Sequence, residues 1–208
     1  MRLHYRHPWL YQFLISFLYP KDFLKKICDT VGIRQSIFEV AAGYGRLARH
    51  IDKSNKYSGI DLNPIFVSHA VAQGIDVRIG NALDENKYSS THDVMLVVDV
   101  VHHFKDEQNK KLFDIIFPRA RNKVVVVEPS FVSITRRWGM FGKLLGWIFS
   151  VVDDDGFNKI ERWHSDDEYR ALFDKRFSSR YSNDFDVSYE KHHGHYLAVF
   201  TRKSPLFI

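Results

Sequence analysis

The stretch that decides the fold is Phe38-Glu39-Val40-Ala41-Ala42-Gly43-Tyr44-Gly45. An apolar, strand-like pattern over residues 37–41 runs directly into a turn of small residues. Small residues at the carboxyl end of a strand let a ligand approach the backbone closely, and doubly wound sheets bind their ligands at that end. The stretch therefore predicts the first strand and the ligand-binding turn of an α/β domain.

The sequence beyond this turn alternates strand-like and helical patterns, which is typical of βαβ units and a parallel sheet. We expect strands over 57–62, 75–79, 93–99 and 123–128, and helices over 46–53, from Asn63-Pro64 onward, and over 106–117 with Asp106 as its cap. A capping box at Ser165 and Glu168 predicts a further helix to about residue 177. The last two strands, near 184–190 and 196–202, follow each other too closely for a parallel crossover and must pair antiparallel.

These patterns predict an α/β fold with a Rossmann-like, doubly wound sheet of seven strands. We expect the sheet to be mostly parallel, with an antiparallel C-terminal strand hairpin and helices on both faces. Since the sequence shows neither a linker nor an internal repeat, we expect a single domain over 1–208. Within it, 1–34 is predicted to form an N-terminal helical cap and 130–160 an aromatic helical insert after the fifth strand.

Composition narrows the classes of protein further. The 208 residues are 45% hydrophobic and include a single cysteine, Cys28, which excludes a disulfide framework and a Cys-rich zinc module. We therefore expect a cytoplasmic protein. The short apolar run at 9–19 lacks a small-x-small cleavage site and is shorter than a membrane span, so we expect no targeting role for it. The formal charge of +5 permits contact with nucleic acid or an anionic membrane without requiring it.

Glu39 separates two interpretations of the glycine turn. Gly43-x-Gly45-x-x-Ala48 also fits the dinucleotide fingerprint, with Asp61 as the acid that binds the ribose diol. However, a carboxylate four residues ahead of Gly43 would repel a nearby pyrophosphate. It suits a ligand that carries an ammonium and a sulfonium. Asp61 could serve only the helix cap, but Asn63 can cap that helix unaided.

On these residues the sequence resembles the class I S-adenosylmethionine-dependent methyltransferases, over about 36–202. Their first motif is an acid followed by small-x-Gly-x-Gly, and the present chain has Ala41 where the family often has glycine. Gly80-Asn81-Ala82 resembles the family's adenine contact, and the segment from Asp99 to Phe104 resembles the part beside the methionine end of the cofactor. The resemblance implies an enzyme of the small-molecule type with S-adenosyl-L-methionine as its cofactor. The cofactor-binding residues that it implies are Glu39, Ala41, Gly43, Gly45, Asp61, Leu62, Asn81, Ala82, Asp99 and Val100.

Two histidines follow the fourth predicted strand and are the candidate catalytic residues. A neutral imidazole can remove the proton of a hydroxyl or phenol acceptor during methyl transfer. We expect His102 to act as this base and to face the cofactor's methyl group, with His103 as the second candidate. The alternatives are that both simply end a buried strand, or that a carbon or amine acceptor needs no base.

The insert gives the best indication of the methyl acceptor. Apolar side chains form two neighbouring helical stripes over 131–152, interrupted by three glycines. Such a surface can close over a pocket, pack on a partner or on the N-terminal helix, or make peripheral contact with a membrane interface. We expect a small, hydrophobic acceptor of aromatic or lipid-like character. The sequence does not indicate an oligomeric state.

Three other functions and two metal sites are alternatives to this interpretation. A nucleic-acid methyltransferase would carry an Asn/Asp-Pro-Pro-aromatic segment or a core cysteine nucleophile, and the segment after Asp99 is neither. A nicotinamide oxidoreductase is opposed by Glu39 and by the terminal hairpin, whereas a non-catalytic ligand-binding member stays open. The histidines of 192–195 and the acidic run 153–155 resemble metal ligands, but we interpret both as ordinary turn residues and expect no metal.

Overall fold

The computed structural model describes residues 21–88, 90–130, 164–178, 180–192 and 194–204. In these ranges seven strands and four α-helices alternate along the chain. The strands are β1 (Ser36–Val40), β2 (Lys56–Asp61), β3 (Val77–Ile79), β4 (His92–Val98), β5 (Ala120–Pro129), β6 (Phe185–His192) and β7 (His195–Arg202). The α-helices are α1 (Lys21–Val31), α2 (Pro64–Ala72), α3 (Asp106–Ile116) and α4 (Asp166–Ser178).

All seven strands belong to one sheet, in the order β3-β2-β1-β4-β5-β7-β6. The five strands from β1 to β5 pair in parallel, and β7 pairs antiparallel with both β5 and β6. The predicted fold class is therefore confirmed, including the terminal hairpin. The strand order reverses between β1 and β4, and ligands of such sheets bind at this switch point, beyond the carboxyl ends of the strands.

The central strands bury both faces because their runs are apolar throughout. In β4 and β5, Met95, Val97 and Val126 contribute to the core under α3 and α4. Their neighbours Leu96 and Val125 face the opposite side, where α1 packs. A helix-covered parallel sheet of this kind needs apolar residues at consecutive positions, as the sequence has them.

Two predicted helix starts are confirmed by their capping contacts. The Asn63 side-chain oxygen accepts the Ile65 N–H at 3.0 Å, with Pro64 in the first position of α2. At α4, the Glu168 N–H donates to Ser165 Oγ at 3.3 Å and the Ser165 N–H donates to the Glu168 carboxylate at 2.8 Å. These reciprocal bonds form the predicted capping box.

Two local predictions were wrong. Residues 46–53 form only a 3₁₀ turn, Leu47–Arg49, and not an α-helix. The Asp52 carboxylate accepts hydrogen bonds from the N–H and hydroxyl of Ser54, and such a local turn competes with helix formation. The cap of α3 is Lys105 rather than Asp106, because Gln108 reaches back to accept the Lys105 N–H at 3.0 Å.

Several predictions concern residues outside the described ranges: the apolar run 9–19, most of the insert 130–160, the acidic run 153–155 and His193. Of the predicted N-terminal cap, α1 is described, and its Phe23 stacks on His195 with ring centroids 4.5 Å apart. No helix among the described residues is long and apolar enough to cross a membrane.

Candidate active site

A cavity of about 220 Å³ opens at the carboxyl ends of β1, β2 and β4. Eight of the ten predicted cofactor-binding residues line it: Glu39, Ala41, Gly43, Asp61, Leu62, Asn81, Ala82 and Asp99. The other two, Gly45 and Val100, do not line the cavity. The sequence pattern and the sheet topology therefore lead to the same place in the molecule.

The glycine turn adopts the tight geometry that its small residues allow. Gly43 and Gly45 have positive φ angles of 57° and 73°, and Ala41 has one of 54°. A left-handed conformation costs an L-residue such as Ala41 about 1–2 kcal/mol, a cost that glycine avoids. A Cβ at Gly45 would also lie 2.8 Å from Ile75 Cδ1 and 2.9 Å from Ile75 Cγ2, so a larger residue there would have to displace the Ile75 side chain. Gly45 thus shapes the turn without touching the cavity.

Asp61 ties the glycine turn to the start of α2. One carboxylate oxygen accepts the Gly43 N–H at 2.7 Å, and the other accepts the Asn63 N–H at 2.8 Å. Each carboxylate oxygen has two lone pairs, so Asp61 retains acceptor capacity on its cavity side. Its position at the end of β2 permits contact with a diol in the cavity.

Glu39 brings an almost fully buried carboxylate, 4% exposed, into the cavity wall. It accepts a hydrogen bond from the Tyr57 hydroxyl. Burial raises the pKa of Glu39 to about 8, although the Tyr57 hydrogen bond and the charge of Arg46 oppose this, while Asp61 and Asp99 add to it. Three carboxylates therefore face one small volume, which favours a cationic group in a bound ligand.

The loop after β3 is tied to Asp61 and to the cavity. The Gly80 N–H donates to the Asp61 backbone oxygen at 2.9 Å, and Asn81 Oδ1 accepts the Leu83 N–H at 2.9 Å. The Tyr88 hydroxyl donates to the Ala82 carbonyl at 2.7 Å from behind the wall. These bonds fix the backbone of Asn81 and Ala82 beside the cavity.

The segment after β4 is held by one buried carboxylate, that of Glu128 on β5. Glu128 Oε1 accepts the N–H groups of Val100 and Val101 at 2.9 and 2.7 Å. Its Oε2 accepts the His102 N–H at 3.4 Å and lies 2.7 Å from His102 Nδ1. Burial disfavours the charged Glu128, but His102 and the backbone donors outweigh it and hold its pKa below the ordinary value. Val100 is therefore bound to the Glu128 carboxylate and does not line the cavity.

The two histidines lie on different sides of this segment. His103 lines the cavity, whereas His102 is 1% exposed and does not line it. The expected place of His102 in the cavity wall is thus not what the structure shows, because Glu128 draws its ring into the protein interior. The rings remain neighbours, with centroids 4.2 Å apart.

Sequence reasoning missed several residues of the site. Arg46, Tyr44, Phe66, Phe104 and Gln108 also line the cavity. Arg46 directly follows the glycine turn, so its place in the wall could have been inferred from sequence. Glu128 also left a signal, as a single charge at the end of the apolar run 124–127 in a central strand.

The two described histidines of the terminal hairpin, His192 and His195, face each other across the hairpin. Within the described residues no three His, Cys, Asp or Glu side chains are placed to hold a metal ion. His195 and His192 both stack on Phe23, with centroids 4.5 and 5.5 Å away. Their described contacts are therefore those of packed aromatic residues.

No protein-family profile matches the chain, and no curated protein matches it. Among solved structures, the plantazolicin methyltransferase BamL in complex with a triazolic desmethylPZN analog and SAH is 10% identical, with a TM-score of 0.69, over 96% of this chain and 93% of that one. The methyltransferase domain of bacterial CtHen1 is 15% identical, with a TM-score of 0.62, over 86% and 96%. Human N-acetylserotonin methyltransferase in complex with SAM is 16% identical, with a TM-score of 0.64, over 96% of this chain and 58% of its own.

These likenesses show the fold. The chain has the fold of the class I methyltransferases, as the resemblance at the glycine turn predicts.

Proposed function

We propose that the chain is an S-adenosylmethionine-dependent methyltransferase whose whole length, 1–208, forms one catalytic domain. The observation that carries the proposal is the placement of Glu39 in the cavity wall together with Asp61 and Asp99. A dinucleotide would bring its pyrophosphate against three carboxylates, whereas S-adenosylmethionine brings an ammonium and a sulfonium. The same charges weigh against a nicotinamide oxidoreductase.

The wall offers a partner for each part of this cofactor. We assign Asp61 to the ribose diol, and Leu62, Asn81 and Ala82 to the adenine, since all four line the cavity. Glu39 suits the ammonium of the methionine end, and Arg46 in the same wall suits its carboxylate, since guanidinium groups bind carboxylates by paired hydrogen bonds. Two of the structural neighbours, BamL and N-acetylserotonin methyltransferase, contain SAH or SAM, which supports the same cofactor here.

When bound, the cofactor supplies an intrinsically reactive methyl group, so the chain itself needs to bind, orient and exclude water. The glycine turn and Asp61 would hold the nucleoside end. Glu39 and Arg46 would hold the methionine end, with Asp99 and His103 in the same cavity wall.

Proton removal from a hydroxyl acceptor is assigned to the pair of histidines. His102 has the partner that a base needs, because the Glu128 carboxylate binds Nδ1 and so orients the ring. His103 has the access, because it lines the cavity. Both histidines are candidates for the base. His102 can act only if the acceptor reaches it from outside the described cavity, because His102 does not line that cavity.

We further propose a small, hydrophobic acceptor of aromatic or lipid-like character and a cytoplasmic location. The aromatic side chains of Tyr44, Phe66 and Phe104 in the wall support the acceptor class, as do the apolar stripes of 131–152 in the sequence. Peripheral contact of 131–152 with a membrane would suit a lipid-like acceptor. A nucleic-acid acceptor is the alternative with less support, since the segment after Asp99 lacks its motif.

Calorimetric titration of the purified chain with S-adenosylhomocysteine and, in parallel, with NAD⁺ tests the cofactor. We expect micromolar binding of S-adenosylhomocysteine and none of NAD⁺. Tight binding of NAD⁺ alone would overturn the proposal in favour of an oxidoreductase. Binding of neither ligand would favour a non-catalytic member.

A methyl-labelled cofactor identifies the acceptor and then the base. S-adenosylmethionine with a deuterated methyl group is incubated with lipid and polar metabolite extracts, and labelled products are detected by mass spectrometry. With that product as the readout, loss of the true base in His102→Ala or His103→Ala should reduce turnover by roughly 10²–10⁴-fold. S-adenosylhomocysteine affinity should stay within about threefold of wild type. Unchanged turnover in both variants would eliminate a histidine base and favour a carbon or amine acceptor.

A further inference from the structure

We infer that Tyr57 is a positioning residue of the cofactor site, whose hydroxyl holds the Glu39 carboxylate in place as the acceptor for a ligand ammonium. The inference rests on the proposed function, since it concerns the same cavity. Nothing in the sequence pattern of the glycine turn indicates it, because Tyr57 lies on a different strand.

The contact depends on the register of β1 and β2. Glu39 pairs with Gly59, so Tyr57 lies two residues earlier on the same face of the sheet. A Cβ at Gly59 would lie 2.8 Å from Ala42 Cβ and 2.9 Å from the Glu39 backbone oxygen. The same Cβ would lie 3.5 Å from the Tyr57 hydroxyl, so this hydroxyl passes close to Gly59 where it donates to the Glu39 carboxylate.

Tyr57 donates in this contact whenever Glu39 is ionised. Burial, followed by the nearby charge of Glu39 and its hydrogen bond, raises the pKa of Tyr57 well above its ordinary value. The phenol therefore keeps its proton at any physiological pH, and the proton points to the carboxylate. The tyrosine ring packs partly buried against the apolar clusters on the α1 side of the sheet, which fixes the hydroxyl in place.

The charged and titratable groups around Glu39 come from four parts of the described chain. Asp61 at the end of β2 and Asp99 at the end of β4 disfavour its ionisation, while Tyr57 and Arg46 favour it. Cys28 on α1 faces it as a neutral thiol, since burial, Asp29 and Glu39 raise its pKa to about 11. If Arg46 turns to the cofactor carboxylate, Tyr57 is the group that continues to stabilise ionised Glu39.

The test compares wild type with Tyr57→Phe by calorimetric titration of S-adenosylhomocysteine between pH 6 and pH 9.5. Removing one hydrogen bond to a charged carboxylate should shift the pH midpoint of binding upward by about one unit. Affinity should therefore fall about tenfold near pH 7 and recover largely at pH 9.5. The ligand's own amino group titrates identically in both proteins, so the difference between the two profiles belongs to Glu39.

Tyr181→Phe is the matched control, because the Tyr181 hydroxyl also donates to a carboxylate, that of Asp114 at 2.9 Å, away from the cavity. Its binding profile should coincide with that of wild type. A Tyr57→Phe profile parallel to wild type, even at lower affinity, would overturn the inference and leave Tyr57 a packing residue.

Glu39→Gln provides a second test that does not require Tyr57→Phe to fold. Its binding profile should lose the Glu39-dependent rise that wild type shows, and Tyr57→Phe added to it should shift the profile no further. A wild-type profile identical to that of Glu39→Gln would overturn the inference. Failure of wild type to bind S-adenosylhomocysteine at any pH would instead overturn the proposed function itself.

Discussion

Two buried glutamates lie near the carboxyl ends of parallel strands, Glu39 on β1 and Glu128 on β5, and their surroundings differ in kind. Glu128 is fully buried and accepts three backbone N–H bonds as well as contacting His102 Nδ1. Glu39 is 4% exposed, receives the Tyr57 hydroxyl and faces Asp61 and Asp99 across the cavity. The same residue type at two strand ends thus meets a surplus of donors in one place and a shortage in the other.

The pKa values follow this difference. Burial disfavours both carboxylates, but at Glu128 the donors and His102 outweigh burial, and the pKa falls below its ordinary value. At Glu39 burial prevails, and the pKa rises to about 8. The comparison indicates that Glu128 is satisfied within the protein, whereas at Glu39 the Tyr57 hydrogen bond and the charge of Arg46 do not offset burial.

The largest effect is expected from Glu128→Gln. The amide presents one acceptor where the carboxylate presented two, so the donors of Val100, Val101 and His102 cannot all be satisfied. We expect the free energy of unfolding to fall by about 3 kcal/mol at neutral pH, measured by urea denaturation. Because the folded pKa of Glu128 is lowered, its contribution is present above the unfolded pKa and is lost as the pH falls through the folded value. The deficit of the variant should therefore shrink in acid.

Glu190→Gln is the control for this loss. Glu190 lies on β6 and forms a surface ion pair with Lys26 at 2.8 Å. Exposed ion pairs contribute about 0–1 kcal/mol. A Glu128→Gln loss no larger than that of Glu190→Gln would contradict the role of Glu128 as an anchor.

The second effect concerns Asp61, whose carboxylate lines the same cavity as Glu39. Asp61→Ala removes the proposed ribose acceptor and also releases the N–H groups of Gly43 and Asn63. We expect S-adenosylhomocysteine affinity to fall tenfold or more, since a hydrogen bond to a charged group contributes about 1.5–3 kcal/mol. Near-wild-type affinity in a correctly folded Asp61→Ala protein would reject the ribose assignment.

The third effect comes from Glu39→Gln, which should raise the stability of the empty protein and lower its affinity for S-adenosylhomocysteine. A folded pKa raised to about 8 means that Glu39 favours the folded state below its unfolded pKa and that this contribution is lost as the pH rises through about 8. Replacing it with a neutral amide should therefore stabilise the empty protein by on the order of 1–2 kcal/mol at pH 9, and by little at pH 5. S-adenosylhomocysteine affinity at pH 9 should fall several-fold, since the charge proposed to bind the ligand ammonium is gone.

Thermal unfolding at the two pH values, with and without S-adenosylhomocysteine, measures the change in stability and the change in affinity in one experiment. A variant less stable than wild type at pH 9 without ligand would contradict the view that ionised Glu39 lacks sufficient partners. A gain in stability together with lost affinity is the stability–activity trade-off expected at a binding site.

Local sequence patterns were sufficient for the fold and for nine of the nineteen residues that line the cavity. Glu39, Gly43 and Asp61 are each identified by their neighbours in the sequence and by the end of a strand. The capping contacts of Asn63 and Ser165 are equally local, and both predictions are confirmed. Asp52 and Ser54 show the limit of such patterns. Their side-chain turn competes with the expected helix over 46–53, of which only a 3₁₀ turn forms.

The partners of the two glutamates could not be predicted, because strand register decides them. Tyr57 reaches Glu39 because the register of β1 and β2 pairs Glu39 with Gly59, two residues after Tyr57. Glu128 holds His102 across 26 residues of chain, and this contact moves the ring out of the cavity wall. A sequence pattern gives the strand ends but not which side chains meet between strands.

The smallest effect is expected from Tyr169→Phe, which repeats at Glu128 the change made by Tyr57→Phe at Glu39. The Tyr169 hydroxyl lies 3.4 Å from Glu128 Oε2, at the long end of hydrogen-bond distances, and its ring packs among Phe173 and Tyr196. Phenylalanine preserves that packing, and Glu128 retains its backbone donors and His102. We expect the free energy of unfolding to change by about 0.5 kcal/mol or less. The pH dependence of S-adenosylhomocysteine binding should stay that of wild type. A shift in that pH profile as large as the one expected of Tyr57→Phe would mean that the two carboxylates are not satisfied differently, and the contrast between them would fail.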